Sequence, residues 1–184
     1  HEYQVADVGG DFVLRTNWLA KNFRIIRVAI TEVQKREKWL DVLATRNAVF
    51  VQDFDVFKDA VVVSERSGGL MRIRVKSWDG RRDTLIAADE PTYVMEPEWT
   101  PDFRSRTLRY CYSSLTRPNS VYDYDMASGS RRLLKTESVA GHFDMANYRT
   151  EYLHAGSRDG TKIPVSLVYR KDTLRDGSAP LYQY

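Results

Sequence analysis

The chain has 184 residues, enough for one domain of ordinary size or one domain with a piece of another. With 42% hydrophobic and 12% aromatic residues it is not disordered by composition, and a formal net charge of +3 is too small to argue for nucleic acid or an acidic membrane as partner. A single cysteine, Cys111, excludes an internal disulfide and a cysteine-rich zinc site, and its place in an apolar alternation predicts a buried, inert thiol.

The first residues, "HEYQVADVGG", have neither the basic start nor the apolar core of a secretory leader, and no apolar run reaches the ~20 residues that span a membrane. One cysteine agrees with a reducing cytoplasm, which is the expected location. The sequence opens on His1 and stops on Tyr184 inside an apolar run, so it reads as an internal piece of a longer protein.

Strand-like runs then follow in order. "DFVLRTN" from Asp11, "RIIRVAI" from Arg24 and "KWLDVL" from Lys38 come first, then "AVFVQDFDVF" over 48–57. A similar series follows with "AVVVSER" from Ala60, "MRIRVKS" from Met71, "RDTLIAA" from Arg82 and "TYVMEPEWT" over 92–100. A third holds "TLRYCYSS" from Thr107, "SVYDYDM" from Ser120 and "RRLLKTE" from Arg131. Phe12, Ala60 and Leu108 stand 48 residues apart, and the later runs keep nearly the same period. Alternation within them is of the strand type: Met71, Ile73 and Val75 fall on one face, Arg72, Arg74 and Lys76 on the other. Turns are signalled at Ser67-Gly68-Gly69, Asp79-Gly80 and Ser128-Gly129. About three units of four short strands predict a mainly β chain forming part of a β-propeller, incomplete as a ring. Trp78-Asp79 matches the WD dipeptide once, does not recur one period on, and is read as chance.

The period breaks near residue 136. "NYRTEYLHAGS" (147–157), "RDGT" and "KIPVSLVYRK" (162–171) predict an antiparallel hairpin with Asp159-Gly160 at its tip, and "LYQY" starts another strand. The expected domains are therefore 1–143 and 144–184.

No residue is singled out as catalytic, cofactor-binding or metal-binding, and no cofactor is expected. Every serine fails the G-x-S-x-G test of a nucleophile elbow. Ser113 and Ser114 lack flanking glycines and read as a strand end before a turn fixed by Pro118, while Ser157, Ser128 and Ser130 sit beside a glycine in turns. Of His1, His142 and His154, only His142 has a nearby ligand type, Asp144; two ligands do not make a zinc site, and a hydrogen-bonded structural histidine at the domain junction is expected. Asp53 with Asp55 and Asp123 with Asp125 each share a strand face and read as its polar side. Arginines among aromatics, as in "RSRTLRY", belong to half-buried strands, so neither nucleic acid nor membrane is expected as a partner.

"YSSLTRPNSVYDYDMASGSRRLLK", "NYRTEYLHAGSRDGTKIPVSLVYRK" and "DGSAPLYQY", in that order, resemble the oligopeptidase B branch of the prolyl oligopeptidase family of serine peptidases. The resemblance is strongest from Tyr110 to Tyr184. It implies a seven-bladed propeller over the mouth of an α/β-hydrolase domain, with 1–143 as the last blades and 144–184 as the first hydrolase strands. It also implies cleavage of short peptides after Arg or Lys, with short basic peptides as substrates. Tyr184 then resembles the tyrosine two places before the family's oxyanion donor, and Gln183 departs from the more apolar strand expected there. The donor, the triad and the acidic residues that hold the basic side chain would all follow Tyr184. The alternative reading is a stand-alone β scaffold that binds a partner without catalysis. On the peptidase reading open blade edges predict self-association of the isolated chain, whereas a self-sufficient scaffold should be monomeric and unfold cooperatively.

Overall fold

The structure is a computed structural model and describes residues 1–183. Three antiparallel sheets of four strands follow one another along the chain, and in each the strand order is the chain order. The first holds β1 (Tyr3–Asp7), β2 (Asp11–Thr16), β3 (Arg24–Ala29) and β4 (Leu40–Leu43). The second holds β5 (Phe50–Val56), β6 (Ala60–Ser67), β7 (Leu70–Ser77) and β8 (Asp83–Leu85); the third holds β9 (Val94–Pro97), β10 (Thr107–Ser113), β11 (Ser120–Asp125) and β12 (Arg131–Thr136). These are three propeller blades, as the 48-residue period predicts. The first strand of the first blade, β1, went unread: "YQVAD" is short, and four of its five residues are exposed, so burial leaves little periodic mark.

Burial explains the patterns. Within "AVVVSE" of β6 every residue is buried, because both sheet faces are covered. Val61 and Val63 join Val13, Phe23 and Ile25 of the first blade, while Ala60 and Val62 join Leu108, Tyr110 and Tyr122 of the third. In β10 and β11 the tyrosines face the second blade and Arg109, Cys111 and Asp123 face away, which gives strict alternation. Tyr110 and Tyr122 stack with ring centroids 5.4 Å apart. Each fully buried aliphatic or aromatic side chain of this kind contributes ~1.5–3 kcal/mol.

The turns use the signalled glycines. Gly68 and Gly69 have φ of 59° and 86° and link β6 to β7 directly, with Ser67 paired to Leu70. Two consecutive residues at positive φ make the tight turn that matches strand twist. Gly80 and Gly129 also have positive φ, in the turns after β7 and β11. The indole of Trp78 donates to the Phe57 carbonyl at 2.9 Å, a local packing role with no blade-wide recurrence.

Beyond the third blade Asp144 caps a single 3-10 turn, Met145–Asn147. β13 (Tyr148–Gly156) and β14 (Lys162–Arg170) then pair over their whole length as a separate two-stranded sheet, closed at Asp159-Gly160. The hairpin matches the sequence reading almost residue for residue. The described residues contain no α-helix and no parallel strand pair, so no α/β layer is formed within them. The strand expected from Leu181 is not formed over 181–183. Tyr184 lies outside the described residues.

Candidate functional site

The feature that joins the two parts of the chain is a polar knot where the crossover between the second and third blades meets the β10–β11 turn and β13. Glu90, on the crossover, places Oε2 within reach of three hydroxyls. Ser114 Oγ donates to it at 2.8 Å, Thr116 Oγ1 at 2.7 Å and Thr150 Oγ1 at 3.3 Å. The Ser114 hydroxyl also accepts from the backbone N–H of Thr116 and of Arg117, at 3.1 and 2.8 Å, which pins the turn before Pro118. Its proton is directed to a carboxylate, and among the described residues no imidazole hydrogen-bonds to it. Ser113 ends β10 as expected, whereas Ser114 lies one residue past the strand end and belongs to the turn.

Cations surround the knot. Arg117 lies 3.7 Å from Glu90 and 3.4 Å from Asp89, and donates to the Tyr122 hydroxyl at 3.1 Å. Arg131 pairs with the other oxygen of Asp89. Tyr93 stacks on Tyr112, centroids 5.8 Å apart, beneath the Arg117 guanidinium. Burial raises the phenol pKa of both Tyr110 and Tyr112 above the ordinary value, so both stay neutral. Beside the knot the β6–β7 turn touches the hairpin: a Cβ on Gly69 would stand 3.0 Å from Pro164 Cγ. The knot therefore holds the hairpin against one rim of the blades. The sequence gives little sign of it. Ser114-x-Thr116 before a proline suggests a hydroxyl-pinned turn, but nothing marks Glu90 or Thr150 as their partners.

The remaining candidates fall into structural roles. Asp123 receives Arg109 at 2.9 Å and Arg132 at 3.4 Å; the Arg109 hydrogen bond, ahead of the other causes, holds its carboxyl below the usual range. Asp125 accepts from the N–H of Ala127 and Ser128 and shapes the turn. Asp53 accepts from Gln4 at 3.3 Å and from its neighbour's N–H. The Asp55 side chain is exposed, yet packed atoms around it desolvate the carboxylate and Asp53 adds a like charge, so its pKa is raised. Ser128 and Ser130 bond each other in the turn after β11, and Ser157 closes the hairpin tip.

Two readings need correction. His142 is exposed and makes no hydrogen bond among the described residues, because its stretch lies outside every sheet. Cys111 is half-buried rather than buried, on the face of β10 that the second blade does not cover. Its thiol is pushed up to about 11, first by burial and then by its 2.9 Å hydrogen bond to Glu98, so it is inert as expected. No group of three or more metal-ligating side chains occurs among the described residues, and no helix among them is long and apolar enough to cross a membrane.

Three successive four-stranded blades with a separate hairpin at one rim define a segment of a β-propeller. Residues 1–137 match the family described as "Prolyl oligopeptidase, N-terminal beta-propeller domain", and the chain belongs to that family of serine peptidases. It is 44% identical to dipeptidyl aminopeptidase BI of Pseudoxanthomonas mexicana, over 100% of this chain and 25% of that protein. It is 28% identical to protease 2 of Moraxella lacunata, over 99% of this chain and 26% of that protein. Among solved structures, oligopeptidase B from Leishmania major superposes with a TM-score of 0.82 at 30% identity, covering 93% of this chain and 25% of that one. The chain thus spans about a quarter of the length of these relatives.

Proposed function

We propose that the chain is the closing part of the substrate-filtering propeller, joined to the first strands of the α/β-hydrolase domain, in a cytoplasmic serine oligopeptidase that cuts short peptides after Arg or Lys. The observation that carries this reading is the hairpin. It leaves the blade period, forms its own sheet, and is tied to one rim of the blades through Glu90 and Gly69. Residues 144–184 are then the start of the catalytic domain, and the third strand from Leu181 forms against strands of that domain. The triad and oxyanion hole belong to the rest of the protein. The propeller's role is exclusion: a folded substrate would have to unfold, at ~5–15 kcal/mol, to pass a narrow chamber.

The test uses the full-length protein. It cleaves a short peptide substrate ending in Arg and leaves a folded globular protein intact, whereas the 184-residue chain shows no turnover. Turnover by that chain, blocked by a serine-reactive reagent, would overturn the division of labour.

A second reading has its own support in the 44% identity to a dipeptidyl aminopeptidase. An enzyme of that kind removes dipeptides and needs a free amino terminus. N-terminal blocking of an Arg-ending substrate separates the two: an endopeptidase retains activity on the blocked peptide, and a dipeptidyl aminopeptidase loses it. A reading as a stand-alone scaffold has no such support, since the matched relatives carry peptidase names.

The isolated chain is proposed to self-associate through uncovered blade surface. Tyr3, Leu19 and Leu40 of the first blade are 69%, 78% and 70% exposed, and Ile163 and Val165 of the hairpin are also open. Sedimentation velocity of the 184-residue chain should give species larger than monomer; a sharp monomer peak would count against it.

A further inference from the structure

The rim opposite the hairpin carries a cleft that the peptidase reading does not use. It lies between the second and third blades, with a volume of about 500 Å³. That falls within the ~300–1,000 Å³ typical of small-molecule sites. The β5–β6 and β7–β8 turns form one wall, and residues just before β10 and after β11 form the other. Its floor is apolar: Phe57, Ala60 and Met126 are all buried. The Trp78 indole flanks the floor, held by its hydrogen bond to the Phe57 carbonyl.

The mouth is cationic. Lys58, Arg81, Arg82 and Arg106 line it against only Asp59 and Asp79. Asp79 is already engaged by the Ser77 hydroxyl at 2.6 Å and the Arg81 N–H at 2.9 Å, with the Arg81 guanidinium at 3.4 Å. Arg82 donates to the Ala127 carbonyl at 2.6 Å, across the two blades. Among the described residues the side chains of Lys58 and Arg106 make no hydrogen bond or ion pair, and Arg106 interacts electrostatically with Asp125. An apolar floor beneath two uncommitted cations fits a ligand with an apolar body and one negative charge.

We propose that this interblade cleft binds small aryl or alkyl monocarboxylates, with the apolar body on Phe57, Trp78 and Met126 and the carboxylate between Lys58 and Arg106. The site is remote from the hairpin rim. β6 runs eight residues from the cleft at Ala60 to the turn that meets the hairpin, roughly 23 Å at the rise of a strand. Binding therefore does not compete with substrate in a chamber on the hairpin side.

The experiment is a ligand-detected saturation-transfer NMR titration of the full-length protein with 3-phenylpropionate and with its neutral counterpart 3-phenylpropanamide. The carboxylate should bind ~10-fold more tightly than the amide, and Lys58→Ala or Arg106→Ala should each weaken it ~10-fold, the scale of one charge-assisted hydrogen bond. Both positions are exposed, and unchanged far-UV circular dichroism confirms that the variants fold. Ala127→Trp, at the exposed mouth, should abolish binding by filling the cleft. Covalent modification of the catalytic serine should leave the affinity unchanged. Equal binding of acid and amide, indifference to the three substitutions, absence of binding, or loss of binding on serine modification would each overturn the proposal. None of these readouts depends on which peptide bond the enzyme cuts.

Discussion

Thr150 Oγ1 stands 3.3 Å from Glu90 Oε2, a hydrogen bond that spans sixty residues and ties the hairpin to the crossover between two blades. The same oxygen takes shorter bonds from Ser114 and Thr116, so Thr150 is the outermost of three donors. The turn is held firmly to the crossover, and the hairpin is held by the weakest member of the set.

This ordering separates two substitutions. Thr150→Val removes one neutral donor and should cost ~0.5–1.5 kcal/mol, confined to the hairpin. Glu90→Ala removes the acceptor for three hydroxyls and leaves Arg117 with Asp89 as its carboxylate and the Tyr122 hydroxyl, at ~1–3 kcal/mol or more. Hydrogen exchange resolves them. Thr150→Val should speed exchange in β13 while β10 and β11 stay protected, whereas Glu90→Ala should speed both. Equal effects throughout would show that Glu90 is not a shared anchor.

Glu65 is the most deeply placed carboxylate, its side chain 2% exposed, with Oε1 taking Arg46 and the Nε of Arg74 at 2.6 Å. Arg46 lies on the connection from the first blade and Arg74 on β7. Removing Glu65 leaves Arg46 without a carboxylate among the described residues and Arg74 with Asp83 only. Glu65→Ala should therefore cost ~3 kcal/mol. Asp41→Ala, which breaks a partly exposed pair with Arg24 at 3.5 Å, should cost ~1 kcal/mol or less. Denaturant titrations of the two variants should differ clearly; similar midpoints would mean that solvent reaches Glu65.

Gly68 and Gly69 make different demands although both have positive φ. At Gly68, with φ of 59°, an added Cβ meets only the Tyr152 hydroxyl at 3.4 Å, and asparagine adopts that conformation readily. At Gly69 the φ of 86° combines with Pro164 Cγ at 3.0 Å. Gly68→Asn should be nearly neutral, while Gly69→Ala should cost ~1–2 kcal/mol from the left-handed backbone, with the hairpin displaced. A thermal melt ranks the pair. The reverse order would place the hairpin elsewhere than on this turn.

The blades were legible because their strands are short, several alternate as β10 and β11 do, and the turns between them carry marked residues: Gly68-Gly69, Asp79-Gly80 and Gly129 all do what their residue types suggest. The hairpin was legible for the same reason. What escaped was long-range or unpatterned. β1 exposes most of its side chains and so lacks periodicity. The Glu90 knot joins positions 90, 114 and 150, which no local rule connects. The place of His142 at the domain junction suggests a hydrogen bond, and among the described residues the fold supplies no partner. The apolar neighbours of Cys111 point to an inert thiol, and Glu98 adds a cause visible only across β9 and β10.

That second cause can be measured. The Cys111 pKa is raised from 9.0 to about 11, with burial the largest cause and the Glu98 carboxylate next. The folded state therefore holds the thiol proton more tightly than the unfolded chain. The stability this provides is complete below the ordinary thiol pKa and is lost as pH rises from 9 towards 11. Alkylation by iodoacetamide, followed against pH in the 184-residue chain, should inflect near 11 when folded and near 9 in denaturant. Glu98→Gln removes the carboxylate and keeps the burial, so its inflection should fall between these limits. A folded-state inflection at the ordinary value would mean that the thiol is open to water and that Glu98 does not hold its proton.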